Sequence, residues 1–144
     1  MRYLSAEPVH VMELQSQQEV ADGRWGALVT FMGVVRADQE AGGVVRALFY
    51  ETFPEMAEAQ IDRIVSEVHR RRPGTRVWVR HRYGMVPAGD ASLVAVAAAA
   101  HRAEAYAACQ ELVDAIKQDV PIWKRIHYDD GSARWEMGAI DAHV

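Results

Sequence analysis

The chain has 144 residues, of which 50% are hydrophobic and 25% charged, with a formal net charge of −4. This size and composition are typical of one folded domain, and they exclude disordered and low-complexity chains. A negative charge argues against a general nucleic-acid binder, because such proteins hold phosphates through clustered cations. No apolar stretch approaches the roughly 20 residues that span a bilayer. We predict a single domain over residues 1–144, and the single cysteine, Cys109, favours the reducing cytoplasm.

An apolar, β-branched run from residue 26 to 35 predicts the first strand, which ends at Arg36. The polar, glycine-containing residues 37–43 follow, and strand character returns from Val44 to Glu51. We predict two strands joined by a mobile loop. A strand-end arginine is well placed to aim its guanidinium at a ligand, although a plain surface role is an equal alternative.

The first predicted helix follows Thr52-Phe53-Pro54-Glu55, which has capping-box spacing with proline in the first turn. Apolar residues then recur at helical intervals until Pro73-Gly74 ends the helix. A second helix is predicted from about His101 to Asp119, where Cys109 falls on the apolar face. That position is typical of a core residue rather than a nucleophile.

Further strands are predicted around the second helix. Alternation predicts a half-exposed strand over 75–83, followed by a turn at 84–90, a strand at 92–99 and a terminal hairpin of 122–128 with 133–137. Strands that come in pairs between two helices favour an α+β fold with a mainly antiparallel sheet.

The start of the second helix has no Ser, Thr, Asp or Asn at its cap position, which leaves its first N–H groups without an obvious acceptor. A bound anion would satisfy them, and His101 and Arg102 would add positive charge. Capping by water is the alternative, and this segment alone favours it.

Lysine is rare in this chain, with only Lys117 and Lys124 beside fourteen arginines. Arginine cannot replace an amine that must lose a proton or be attacked. Lys117 follows a core-facing helix position, and alternation sets Lys124 opposite Trp123. We predict that the two amines share one cleft. The alternatives are a cation that complements the helix dipole and a solvated strand lysine.

Familiar site motifs are absent from the sequence. There is no HExxH or paired-cysteine metal motif, no nucleophile elbow and no glycine-rich phosphate loop. We therefore predict no protein-bound metal and no resident cofactor. The residues alone predict an α+β domain with a candidate anion site and two unusual lysines.

An ordered set of short segments resembles the MoaE family, the large catalytic subunits of molybdopterin synthase. The match covers roughly residues 25–138, and its most specific element is Pro121-Ile122-Trp123-Lys124-Arg125. The other segments are 31–36, Tyr50-Glu51 with Met56, 81–84, Gly89-Asp90, His101-Arg102 and Lys117. The departures are Asp90 for a usual Glu, Tyr106 for Phe and Ile126 for an acidic residue.

The resemblance implies an α/β hammerhead fold and a two-subunit enzyme. The small subunit would be ubiquitin-like, with a C-terminal Gly-Gly thiocarboxylate whose sulfur converts cyclic pyranopterin monophosphate to molybdopterin. Two large subunits would form a homodimer at the centre of a heterotetramer. The short tail, residues 141–144, leaves any C-terminal contribution open.

The resemblance also implies roles for individual residues. Lys117 and Lys124 would be catalytic, and the phosphate would be held by Arg36, His101 and Arg102. Phe31 would wall the pterin site, with a core phenylalanine as the alternative, and Arg134 is a further substrate-binding candidate. A non-catalytic binding module is the competing hypothesis, and it would tolerate Lys117→Arg because either cation serves an anion.

Overall fold

The computed structural model describes residues 1–10 and 23–136, so the predicted end of the last strand at Met137 and the tail 141–144 lie outside the described residues. Within the described ranges it contains nine strands and two helices. In chain order these are β1 Leu4–Ser5, β2 Ala27–Val34, β3 Gln39–Glu40, β4 Gly43–Thr52, α1 Pro54–Arg71, β5 Arg76–Arg82, β6 Gly84–Pro87, β7 Ala91–Ala99, α2 Arg102–Asp119, β8 Ile122–Tyr128 and β9 Ala133–Trp135.

The first sheet has the strand order β1-β5-β7-β2. β1 is parallel to β5, and the other neighbours are antiparallel. Helix α2 packs on β2 and β7, and α1 packs on α2 and β5. Eight of the nine residues of the central strand β7 are buried. Such a continuous apolar run is typical of a strand whose two faces are both covered.

The second sheet has the order β3-β4-β8-β9, with β6 also paired to β4. Only Tyr83 separates β5 from β6, and the chain turns from the first sheet into the second at Gly84, whose φ is +85°. Glycine adopts this left-handed conformation without a steric penalty. Both sheets and both helices contribute to one buried core. The predicted α+β class and mainly antiparallel pairing are confirmed.

The predicted capping box before α1 is wrong. The N-cap residue is Phe53, whose side chain cannot accept a hydrogen bond, and Pro54 follows in the first turn. The Thr52 hydroxyl instead donates to the carbonyl of Pro121 at 2.9 Å. Thr52 therefore contacts the residue before β8, and the start of α1 has no side-chain cap.

Two predicted loops contain strands. The segment predicted as a mobile loop includes β3, and its Glu40 carboxylate accepts a 2.7 Å hydrogen bond from the Tyr128 hydroxyl. The predicted turn at 84–90 includes β6, which pairs with β4. β1 was not predicted. No helix within the described ranges is long and apolar enough to cross a membrane.

Candidate functional site

Lys117 lies in the last turn of α2 with its side chain half-buried. Its Nζ is 5.9 Å from the centre of the Phe31 ring, within the range of cation–π attraction. Phe31 belongs to β2, beneath α2, and packs against the main core. The structure therefore brings together two of the predicted site residues, with the aromatic ring serving both as core and as support for the amine.

The helix that carries Lys117 also carries Cys109, which faces the core as predicted. The thiol is buried, and this desolvation raises its pKa even though a hydrogen bond to the backbone of Phe31 acts in the opposite direction. A raised pKa keeps the thiol neutral and unreactive. Lys117, rather than Cys109, is the candidate catalytic residue of this helix.

Lys124 lies in β8 with only 2% of its surface exposed, whereas neighbouring Trp123 is 48% exposed. The predicted alternation is confirmed, and the alternative of a solvated lysine is excluded. The Lys124 Nζ lies 3.4 Å from Oε2 of Glu136. Taking an ammonium out of water costs several kcal/mol, and an adjacent carboxylate offsets part of that cost. A buried, paired amine is thus available at this position.

The two lysines have different immediate neighbours, Phe31 for Lys117 and Glu136 for Lys124. The chain between them consists of the end of α2, Val120-Pro121 and the start of β8, which limits their Cα separation to about 20 Å. Their convergence on one cleft stays a prediction.

Arg36 lies two residues beyond the end of β2 and is exposed. A guanidinium nitrogen of Arg36 is 3.3 Å from a carboxylate oxygen of Asp38, a contact within the same loop. Exposed ion pairs of this kind contribute about 0–1 kcal/mol, so a stronger anionic ligand would displace the contact readily. The predicted binding of an anion by Arg36 stays a prediction.

His101 and Arg102 mark the start of α2, and both are exposed. His101 is the N-cap residue, and its side chain forms no capping hydrogen bond within the described structure. The prediction of a helix start without a side-chain cap is confirmed. Its amides and partial positive charge remain suited to an anion.

The structure separates His101 and Arg102 from Arg36. In the β2–β7 ladder Ala27 pairs with Ala99, next to the start of α2, and Val34 pairs with Ala91 at the other end. Seven residues of strand span about 23 Å. One copy of the chain therefore does not place all three cations around a single phosphate.

A cavity of 540 Å³ lies at the His101 end of the ladder, lined by Arg24, Trp25, Gly74, Thr75, Arg76 and Ala100. The Arg24 guanidinium is 5.5 Å from the centre of the Trp25 ring. An Arg-Trp dipeptide before a strand matches no known motif, so this pair was not predicted from the sequence.

Arg134, the further candidate, belongs to β9 and has partners within the second sheet. Its Nε donates to the Tyr128 hydroxyl at 2.8 Å, and a terminal nitrogen donates to Glu40 at 3.1 Å. Two hydrogen bonds raise the pKa of Arg134, and the bond to Tyr128 has a larger effect than the bond to Glu40. These contacts give Arg134 a structural role that joins β3, β8 and β9.

No group of three or more His, Cys, Asp or Glu residues among the described ranges is arranged to hold a metal ion. The candidate site thus consists of the two amines, an aromatic ring and two separated sets of cations that were predicted to bind an anion.

A family model described as MoaE protein matches residues 4–119. The chain belongs to the MoaE family. It is 42% identical over 110 residues to the molybdopterin synthase catalytic subunit of Thermoplasma volcanium, covering 76% of this chain and 80% of that protein. It is 38% identical to catalytic subunit 1 of Mycobacterium tuberculosis, covering 92% of this chain and 87% of that protein.

A solved structure of molybdopterin synthase from Staphylococcus aureus superimposes with a TM-score of 0.84 at 29% identity, covering 94% of this chain and 96% of that one. The fold predicted from the resemblance is confirmed. As a MoaE member the chain is an enzyme of molybdopterin synthesis, which confirms the predicted class and excludes the hypothesis of a pure binding module.

Proposed function

We propose that this chain transfers sulfur from the C-terminal thiocarboxylate of a small ubiquitin-like subunit to cyclic pyranopterin monophosphate, forming the dithiolene of molybdopterin. The observation that supports this most is the setting of the two lysines. Both are shielded from solvent to some degree, Lys117 on the Phe31 ring and Lys124 in the protein interior. Surface lysines selected for solubility would not occupy such positions.

Lys117 is the group proposed to act on the reacting atoms. A half-buried ammonium stabilises oxyanion charge that develops when a thiocarboxylate is attacked or released, and it exchanges protons with the leaving group. Phe31 excludes water from one side of the amine, which strengthens its electrostatic effect. Lys124 is assigned to charge stabilisation and substrate positioning.

The phosphate site is proposed to form between two copies of the chain. Arg36 and the His101–Arg102 pair lie at opposite ends of the β2–β7 ladder, so one copy would supply the arginine and the other the helix start. Closed two-fold symmetry would create two such sites per dimer. This agrees with a homodimer at the centre of a heterotetramer.

Reconstitution tests the activity. The purified chain is mixed with thiocarboxylated small subunit and the pterin precursor, and the dithiolene product is detected by mass spectrometry. Lys117→Ala should abolish product while leaving small-subunit binding intact, and Lys117→Arg should rescue poorly because guanidinium does not release its proton. Gln118→Ala, an exposed neighbour on α2, is the matched control and should retain full activity. Near-normal turnover by Lys117→Ala would remove this residue from the mechanism.

Mixing two inactive variants tests the shared site. If Arg36 and His101 act from different copies, a mixed dimer of Arg36→Ala with His101→Ala retains one intact site, so random exchange restores about a quarter of all sites. Neither variant should recover alone. Absence of any recovery after verified subunit exchange would show that each copy builds its own phosphate site.

A further inference from the structure

Two neighbouring strands of the second sheet and the residue that follows β9 place Tyr50, Lys124 and Glu136 in one row. Tyr50 of β4 pairs with Lys124 of β8. The β8–β9 register, continued by one residue, sets Lys124 opposite Glu136, and the Glu136 amide donates to the Lys124 carbonyl at 2.9 Å. Directly opposed residues project from the same face of a sheet. The backbone thus fixes which side chain meets the Lys124 amine.

The contact between Lys124 and Glu136 is shielded from water. Nζ and Oε2 are 3.4 Å apart, and the two side chains are 1% and 13% exposed. Strand β8 contains no acidic residue, and its next position on the same face is the fully buried Ile126. The carboxylate that meets the amine therefore comes from the segment that follows β9.

A lysine side chain has a long flexible stem, and its ammonium tolerates burial only beside an opposite charge. A carboxylate fixed by backbone pairing restricts that stem to one direction. In a catalytic site such restriction matters, because a displacement of about 1 Å reduces turnover by as much as about 100-fold.

We propose that Glu136 is a positioning residue for Lys124, directing the amine toward the sulfur-transfer site. This inference rests on the proposed function, in which Lys124 contacts the substrate. Glu136 acts through Lys124 and does not itself touch the reacting atoms.

Kinetics in the reconstituted system test the role. Glu136→Gln preserves shape but removes the charge, and we expect kcat to fall by about 10- to 100-fold with little change in KM. Glu136→Asp should recover part of the loss. Glu111→Gln is the matched control. Glu111 is also a largely buried carboxylate in ion pairs, with Arg71 and Arg72, but these pairs connect α1 to α2 rather than contacting a lysine. It should lower the unfolding temperature and leave kcat unchanged.

The rarity of lysine allows a second measurement that needs no turnover. Protein labelled with ¹⁵N-lysine has only two side-chain ammonium signals, and Lys124→Arg assigns them. Glu136→Gln should shift or remove the Lys124 signal and leave that of Lys117 in place, whereas Glu111→Gln should leave both.

The outcomes separate the two proposals. An unchanged Lys124 signal or an unchanged kcat in Glu136→Gln overturns the positioning role, as does a loss of kcat matched by Glu111→Gln. A wild-type chain that forms no dithiolene contradicts the proposed function, while the ammonium signals still show whether Glu136 holds Lys124.

Discussion

Gly26 lies against the residue that precedes the start of α2, and its replacement by alanine should disturb the proposed phosphate site. The Gly26 amide donates to the Ala99 carbonyl at 3.0 Å. A Cβ at Gly26 would be 2.2 Å from the carbonyl oxygen of Ala100 and 3.3 Å from its carbonyl carbon. Ordinary carbon–oxygen contacts are about 3.3 Å, so the backbone at Ala100 must move by about 1 Å.

The consequences of Gly26→Ala follow from that displacement. Overpacking against backbone costs about 1–3 kcal/mol of unfolding free energy. His101 follows Ala100 directly, so the same movement would break the proposed hydrogen bond from His101 to the phosphate, whose loss costs about 1.5–3 kcal/mol. At 1.4 kcal/mol per tenfold, KM for the pterin should rise by about 10- to 100-fold.

Two assays and one control variant test this reasoning. Chemical denaturation gives the loss of stability, and substrate saturation in the reconstituted system gives KM. In Gly42→Ala the new Cβ would meet the Tyr128 ring at 2.9 Å, so this variant is also overpacked, but Gly42 lies in the turn between β3 and β4. It should lose stability with KM unchanged. Wild-type stability and KM in Gly26→Ala would refute the steric argument.

Three further predictions concern other groups. Arg36→Ala should raise KM more than it lowers kcat, because it removes the proposed contact to the substrate phosphate; an unchanged KM would argue against this role. Burial and the hydrogen bond to Asp62 raise the pKa of Tyr3 from 10.0 to about 12, so its stabilising contribution is complete below pH 10 and is lost as the pH rises to 12. The denaturation midpoint of Tyr3→Phe should therefore fall less than that of the wild type between pH 10 and pH 12. An equal fall in the wild type and the variant would contradict this prediction. Because burial raises the Cys109 pKa, thiol reagents should modify the native chain only as fast as it unfolds; rapid modification would show an accessible thiol.

The sequence predicts most of the fold where the signal is local. These signals each lie within one segment of the chain. They are the alternation along β5 and β8, the helical spacing in α1 and α2, and the Pro and Gly residues at the helix ends. The short strands β1, β3 and β6 were missed, because two to four residues carry little periodicity and pair only when a neighbour is present.

The candidate site shows the same division. Lys117 beside the apolar face and Lys124 opposite Trp123 follow from helical and strand periods. The Glu136 carboxylate beside Lys124 does not, because it depends on the register of β8 with β9. The separation of Arg36 from His101 depends on the direction of β7 relative to β2 and on where α2 begins. Strand register and strand direction are features of the tertiary structure, and the sequence of one segment does not predict them.

The passage of the chain from β5 into β6 at Gly84 has a mechanical consequence. One nearly continuous stretch belongs to both sheets, so the sheet that carries Phe31 and the sheet that carries Lys124 are tied by covalent backbone as well as by packing. At this junction a single residue, Tyr83, separates the two strands, which is too short a segment to act as a hinge. We expect this enzyme to meet its substrate with the spacing of its groups already set, so that little binding energy is consumed in closing around it.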